Sequence, residues 1–310
     1  LYTRATQIKR NQPKKFTAPA CAYNPRMSAS LPPLDVIRAL VAAALREDVG
    51  DGDLSAALIA ADARASAALV CREAAVLCGA AWFEEVFAQV DAAARIEWRF
   101  DDGDALQAGD AVCRITGPAR ALLTAERTAI NLLQTLSATA TAARRLADAV
   151  AGAGARITDT RKTLPGLRRA QKYAAAVGGA RNHRLGLFDQ ILIKENHIAA
   201  AGGIAAALQR AREIMPAADA SRIEIEVETL AQLDEALAAG ARRIMLDNFS
   251  LDDLRAAVAA AAGRAELEAS GDITLDNARA MAATGVDFIS VGALTKHIRA
   301  VDFSLRFDAP

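Results

Sequence analysis

Cysteine is scarce in this chain: Cys21, Cys71, Cys78 and Cys113 are all it holds, with no C-x-x-C pair and no metal-ligand spacing. Three of the four lie in apolar, strand-like stretches, which predicts buried free thiols in a reducing cytoplasm. Net charge is absent as well. The 37 basic residues balance 37 acidic ones, which argues against a nucleic-acid binder held by bulk electrostatics. No uninterrupted apolar run reaches transmembrane length. Aromatic residues make up only 5%, whereas hydrophobic residues reach 53%, driven by alanine. That balance suits a soluble, helix-rich α/β protein whose cores pack small side chains. At 310 residues the chain exceeds what one core usually organises, so two domains are expected.

What the chain does have is a local concentration of positive charge. From Arg161 to His197 there are eight Lys/Arg residues against two acidic ones, with His183 and His197 among them. The stretch follows a short strand-like run ending at Thr158 and closes on Ile191-Leu192-Ile193-Lys194, a buried-type strand with a polar end. Cations set between strand ends predict a pocket for a small, multiply anionic ligand. Arg168, Arg169 and Lys172 have the spacing of a solvated helix face. Arg161, Lys162, Arg184 and Lys194 flank Pro, Gly or apolar strand residues and are better candidates for a site.

In chain order, residues 1–30 are basic, acid-free and without periodicity. They resemble a transit peptide in composition, but the first residue is not Met and Met27 precedes the first organised segment, so an appended or upstream-start extension is expected. Leu34 to Arg46 has helical periodicity. Glu47 to Ser55 sets three aspartates around two glycines without EF-hand spacing, which predicts a turn capped by Asp53 or Ser55 rather than a metal loop. A strand pair over Ala65–Gly79, a helix over Trp82–Val90, a strand over Arg95–Phe100 and short antiparallel strands to Pro118 complete a small α+β domain. A long helix runs from Arg120 to about Val150.

Beyond Arg156 a strand–helix unit repeats. Strands are expected at Arg156–Thr158, Ile191–Lys194, Ile223–Val227, Arg243–Leu246, Glu266–Ala269 and Phe288–Val291. Helices are expected at Ala205–Ile214, Leu230–Ala239, Leu251–Ala261 and Leu275–Ala283, with Gly240, Gly263 and Gly285 where helices end. Six parallel strands with crossover helices mean a β/α barrel or a doubly wound sheet. No G-x-G-x-x-G follows the first strand, which weakens a dinucleotide-binding reading. Polar or small residues end every strand: Asp159/Arg161/Lys162, Lys194/Glu195/Asn196, Glu226/Glu228, Asp247/Asn248, Ser270/Gly271 and Gly292/Ala293. In barrels that edge binds ligands, and the small residues suit backbone N–H contacts with phosphate.

Five motifs carry a resemblance to a known family: Glu126-Arg127-Thr128-Ala129-Ile130-Asn131, Asp159-Thr160-Arg161-Lys162-Thr163-Leu164-Pro165-Gly166-Leu167, Asn182-His183-Arg184-Leu185-Gly186-Leu187, Ile193-Lys194-Glu195-Asn196-His197 and Met245-Leu246-Asp247-Asn248. From about Ala39 to Phe307 the chain resembles quinolinate phosphoribosyltransferase, or nicotinate-nucleotide pyrophosphorylase (carboxylating). The resemblance implies an α/β fold: an N-terminal α+β sandwich domain joined to an incomplete, open β/α barrel of about six parallel strands. The expected division is a basic extension over 1–30, the sandwich with the long connecting helix over 31–150, the barrel over 151–295, and a segment returning to the N-terminal domain over 296–310.

The same resemblance implies the substrates, quinolinate and phosphoribosyl pyrophosphate, and a homodimer with shared active sites, a hexamer being the other arrangement. Arg161, His183, Arg184 and Lys194, with Arg127 from the neighbouring subunit, would hold quinolinate. Lys162, Glu226, Asp247, Ser270, Gly271, Gly292 and Ala293 would handle phosphoribosyl pyrophosphate. Lys162, Glu226 and Asp247 would be catalytic, and Glu226 and Asp247 would hold Mg2+ directly or through water. Asp272, where many members carry Asn, and Lys296-His297, where others place His directly after the Thr, depart from the pattern. The chemistry agrees, since a dianion meeting a phosphate and a pyrophosphate needs many cations, and Arg forks suit carboxylates. Two other readings stand beside it. One is a barrel aldolase or isomerase with Lys162 or Lys194 as a Schiff-base lysine; the other is a non-catalytic nucleotide-sensing module.

Overall fold

The structure, a computed structural model, describes residues 29–215 and 221–308. Cys21 and all but the last two residues of the expected basic extension lie outside them. The N-terminal part runs α1 (Leu34–Val49), a 3₁₀ turn (Ala56–Leu58), β1 (Arg64–Cys71), β2 (Ala75–Val76), α2 (Ala80–Val90), β3 (Arg95–Trp98), β4 (Ala105–Leu106) and β5 (Ala111–Pro118). Helix α3 (Ala119–Ala149) follows. Then come β6 (Arg156–Thr158), α4 (Arg168–Val177), β7 (Ile191–Ile193), α5 (Glu195–Ala201), α6 (Ile204–Ile214), β8 (Ile223–Val227), α7 (Leu230–Ala238) and β9 (Arg243–Asp247). The chain ends with α8 (Leu251–Ala261), β10 (Glu266–Ser270), α9 (Leu275–Ala282), β11 (Phe288–Ser290), α10 (Ala293–Lys296) and β12 (Phe303–Phe307).

Asp53, not Ser55, caps the turn after α1, accepting from the Ser55 and Ala56 amides at 2.9 Å. The expected strand pair over 65–79 is corrected: β1 and β2 form but do not pair with each other. β1 pairs with β5 and, on its other edge, with β12 at the far end of the chain, while β2 pairs with β4. Alternation along a segment reports strand conformation but carries no information about the partner.

Helix α3, 31 residues and about 46 Å long, serves two cores. Leu122, Ala129, Leu133 and Leu136 pack with the N-terminal sheet and α2. Ala143 and Leu146 pack with the second sheet and its helices. Tyr173 of α4 donates to Asp102 at 2.9 Å, and Asp102 in turn accepts the first amides of α2 at Gly79 and Ala80. This ties α4, which borders the site, to the N-terminal layer.

The second sheet is wholly parallel, in the order β6-β11-β10-β9-β8-β7. That is cyclic order with one break, between β6 and β7, so the sheet is an open barrel. A doubly wound sheet would reverse direction at an internal switch point. The break is partly filled by the segment after α4: Arg181 bridges Thr158, donating to the Ile157 carbonyl at 2.7 Å while its own carbonyl accepts from Asp159 at 3.0 Å. No helix among the described residues is long and apolar enough to cross a membrane.

Candidate active site

The C-terminal ends of the six strands form one rim, and the loop from Asp159 to Leu167 reaches over it. Buried Gln171 of α4 holds that loop, accepting from the Leu164 amide and donating to the Thr295 carbonyl, each at 2.8 Å. Thr295 closes the circuit by donating to the Lys162 carbonyl at 2.8 Å. A Cβ at Gly292 would lie 2.8 Å from Lys162 Cδ. The lysine stem therefore rests against the end of β11. Gly271, with φ +102°, has the same kind of constraint: a Cβ would meet Asn248 Oδ1 at 2.0 Å. Its neighbour Ser270 stands in register with Asp247.

On the other side of the rim Lys194 is ion-paired with Glu226. Its backbone is fixed by His197, whose Nδ1 accepts the Lys194 amide at 3.0 Å. Asp247 is half-buried and accepts from Asn248 Nδ2 at 2.8 Å. Arg161 carries a buried Nε with no hydrogen-bond partner. Arg184 is pushed below its ordinary range by burial and then by the charge of Arg161. Two guanidiniums close enough to oppose each other's charge, one with an unpaired donor, make a site short of anions.

Beneath the rim is a second set of charges that sequence reasoning missed. β8 reads Ile-Glu-Ile-Glu-Val and is buried at all five positions. Its apolar residues join the core under the helices, and Glu224 and Glu226 face the barrel interior. Glu224 and Glu268 are both fully buried, and Arg243 lies 3.5 Å from one and 2.9 Å from the other. His183 joins them, its Nε2 at 2.7 Å from Glu224 Oε2. Although expected among the quinolinate-holding cations, the His183 side chain is only 6% exposed. Its Nδ1 accepts the Arg184 amide at 2.8 Å, which leaves Nε2 to carry the proton towards Glu224. Burial pulls the imidazole down, but Glu224 and Glu268 outweigh it and hold it above its ordinary range.

His183, Glu224 and Glu268 also have the composition of a metal-ligating group, the one such group of three or more among the described residues. Arg243 already lies between the two carboxylates and both imidazole nitrogens are committed, so this cluster holds its own cation and does not fit another.

Lys172 was expected on a solvated helix face, and this is corrected. It is buried and ion-paired to Asp159 at 2.5 Å. Asp159, 0% exposed, also accepts from the His183 amide and Asn182 Nδ2, each at 2.8 Å. Burial raises the Asp159 carboxyl and lowers Lys172, and their pairing opposes both shifts. Arg168 is half-buried and braces the rim loop through Thr163 at 3.1 Å, while Arg169 is exposed as expected.

Glu268 makes a testable contribution. Burial and then the Glu224 charge push its carboxyl from 4.5 up to about 7, against the pull of His183 and Arg243. A carboxyl raised by folding contributes stability that is full below its unfolded value and lost as pH rises through its folded value. Glu268→Gln should therefore gain on the wild type between about pH 5 and pH 8, by on the order of 2–3 kcal/mol. Denaturant titrations of both proteins at the two pH values measure this. A difference independent of pH would show that Glu268 does not titrate in that window.

A family profile described as "Quinolinate phosphoribosyl transferase, N-terminal domain" matches residues 53–137, and one for the C-terminal domain matches 139–306. The chain belongs to the quinolinate phosphoribosyltransferase family. Relatives in this family include a "probable nicotinate-nucleotide pyrophosphorylase [carboxylating]" of Bacillus subtilis, 42% identical over 84% of this chain and 89% of that protein. A nicotinate-nucleotide pyrophosphorylase [carboxylating] of Mycobacterium leprae is 43% identical over 87% of this chain and 97% of its own. The structure of the nicotinate-nucleotide pyrophosphorylase from Francisella tularensis superposes with a TM-score of 0.87 at 44% identity, covering 91% of this chain and 99% of that one.

Within this family member, the rim brings together Arg161, Lys162, Arg184, Lys194, Glu226, Asp247, Ser270, Gly271, Gly292 and Ala293. Arg127 is elsewhere, exposed on α3. Its neighbours Thr124 and Thr128 bond to Asp53 and Asp48 of the N-terminal segment. Of the departures, Asp272 has φ +39° and lends its carbonyl to Asn277 Nδ2 at 3.0 Å, and Lys296 and His297 are exposed.

Proposed function

We propose that this chain transfers phosphoribosyl from phosphoribosyl pyrophosphate to quinolinate with decarboxylation, giving nicotinate mononucleotide, pyrophosphate and carbon dioxide in NAD biosynthesis. The observation that carries the reading is the anion-poor rim: Arg161 with an unpaired buried Nε beside Arg184, whose charge is disfavoured by burial and by Arg161. Planar forks suit two adjacent carboxylates. Arg161, Arg184 and Lys194 hold them in this reading, with His183 behind Arg184. Opposite, Lys162, Ser270, Gly271, Gly292 and Ala293 offer a cation and small-residue backbone to the phosphates.

Glu226 and Asp247 fit a magnesium ion. Each is a hard oxygen donor, and two protein carboxylates supplemented by water and substrate oxygens are what this ion takes. When bound there it would neutralise charge on the pyrophosphate. The side chains themselves hold the pyridine nitrogen against the anomeric carbon, and the two carboxylates stabilise positive charge developing on the ribose. Once the ring nitrogen has bonded to the anomeric carbon and pyrophosphate has left, the adjacent carboxylate leaves as carbon dioxide. The electron pair left on the ring carbon, stabilised by the cationic ring, takes up a proton from water.

A Schiff-base lysine finds little support. Lys194 is ion-paired to Glu226 rather than relieved of its charge. Cys71, Cys78 and Cys113 are free and buried, with burial raising all three thiols, Cys113 to about 12. This suits the cytoplasm.

A shared site in a homodimer belongs to the same proposal. Leu54, Leu58 and Leu123 are exposed near Arg127, and Leu187 and Phe188 are exposed on the loop beside the rim. Apolar patches on these two faces suit a head-to-tail pair of copies. Incubation with quinolinate, phosphoribosyl pyrophosphate and magnesium tests the activity, with nicotinate mononucleotide as the expected product. Its absence from folded protein would refute the reading.

A further inference from the structure

The segment from Arg181 to Gln190 fills the break in the barrel between β6 and β7, and it carries Arg184 onto the rim. Towards β6 it is fastened by the Arg181 bridge and by Asp159. Towards β8 it is fastened by a single carboxylate oxygen. Glu224 Oε2 accepts from His183 Nε2 at 2.7 Å and from Gln190 Nε2 at 2.9 Å, so one atom holds both ends of the loop. Between those ends, Arg184 donates its amide to His183 Nδ1 at 2.8 Å and Nη1 to the Gln190 carbonyl at 3.4 Å. Both anchors of Arg184 are therefore residues that Glu224 holds. Asp189 completes the loop by accepting the Leu185 and Gly186 amides at 2.7 and 2.8 Å.

We infer that Glu224 is a positioning residue for quinolinate: through His183 and Gln190 it closes the barrel's open seam and aims Arg184 at a substrate carboxylate. It does not touch the substrate, being fully buried below the rim. Burial opposes its charge, but the bond to His183 and, after it, the charge of Arg243, 3.5 Å from its other oxygen, hold its carboxyl below the ordinary range. The phosphate half of the rim rests on other supports, namely Gln171, Thr295 and the glycines that follow β10 and β11. Loosening the seam should therefore weaken one substrate and spare the other. This inference rests on the proposed quinolinate reading.

The test is steady-state kinetics with each substrate varied in turn, on wild type, Gln190→Ala and Glu224→Gln. Gln190→Ala removes one of the two tethers from a half-buried loop position. It should raise KM for quinolinate about tenfold, the effect of losing one hydrogen bond to a charged group, with KM for phosphoribosyl pyrophosphate changed less than about twofold. Glu224→Gln keeps one acceptor but loses the charge facing Arg243, and should raise KM for quinolinate on the order of tenfold to a hundredfold with the same selectivity. Should Glu224→Gln not fold, Gln190→Ala decides alone. An active wild type whose folded variants keep its quinolinate KM, or lose affinity for both substrates equally, overturns the clamp and leaves the activity standing. A folded wild type that makes no nicotinate mononucleotide overturns both.

Discussion

Nicotinate is expected to be a poor substrate, with kcat/KM below that of quinolinate by roughly 30-fold to 5,000-fold. The range follows from the loss of about 2–5 kcal/mol when a buried, hydrogen-bonded charge is left without its partner. Nicotinate carries one carboxylate where the rim presents Arg161, Arg184 and Lys194. Of these, Lys194 has Glu226 to fall back on. Arg161 and Arg184 do not relieve each other: burial and mutual charge disfavour Arg184, and Arg161 Nε is unpaired. A monoacid satisfies one guanidinium and leaves the other facing a like charge. Kinetics with both acids at saturating phosphoribosyl pyrophosphate measure the ratio, and comparable specificity constants would refute a two-carboxylate pocket.

Mixing two inactive variants, Arg127→Ala and Arg161→Ala, is expected to restore activity to about a quarter of wild type in a randomly exchanged mixture. Arg127 precedes Thr139, where α3 meets Gln171 under the rim loop, by twelve residues, or about 18 Å along the helix axis. An arginine side chain does not span that distance, whereas its own end of α3 carries exposed Leu123 one turn away on the same face. In a two-fold dimer each site then takes Arg161 from one copy and Arg127 from the other. A mixed dimer gathers both lesions in one site and leaves the second intact. Subunit exchange is verified by a mass or fluorescent tag. A mixture that exchanges and stays as inactive as its parents would place Arg127 in its own chain or outside catalysis.

Most of the rim was legible in the sequence because most of its residues end a strand or open the loop after it, Arg184 on the segment before β7 being the exception. Lys194 and Asp247 each follow or close a run of apolar β-formers, and Glu226 lies near the end of the alternating β8, so the pattern can be read within a few residues. Arg127 is a candidate only through a family motif, since a lone arginine on a helix has no local signature. Lys172 was misread for a related reason: its helical spacing placed it on one face of α4, but the seam segment folds over that face and buries it.

The chain order of elements, the parallel strand–helix repeat, the rim residues and the family were all determined by the sequence itself. Each depends on periodicity or on contiguous motifs, which short-range sterics and burial impose along the chain. Only the tertiary structure decided that the repeat closes as an open barrel with its break between β6 and β7, because strand partners are not encoded in alternation. It also decided which charges are interior. Lys172 and Asp159 are separated by 13 residues, Arg243 and Glu268 by 25, and His183 and Glu224 by 41. A buried ion is tolerable only beside its counter-ion, and that adjacency exists only once the barrel has brought β6, β8, β9 and β10 around a common interior.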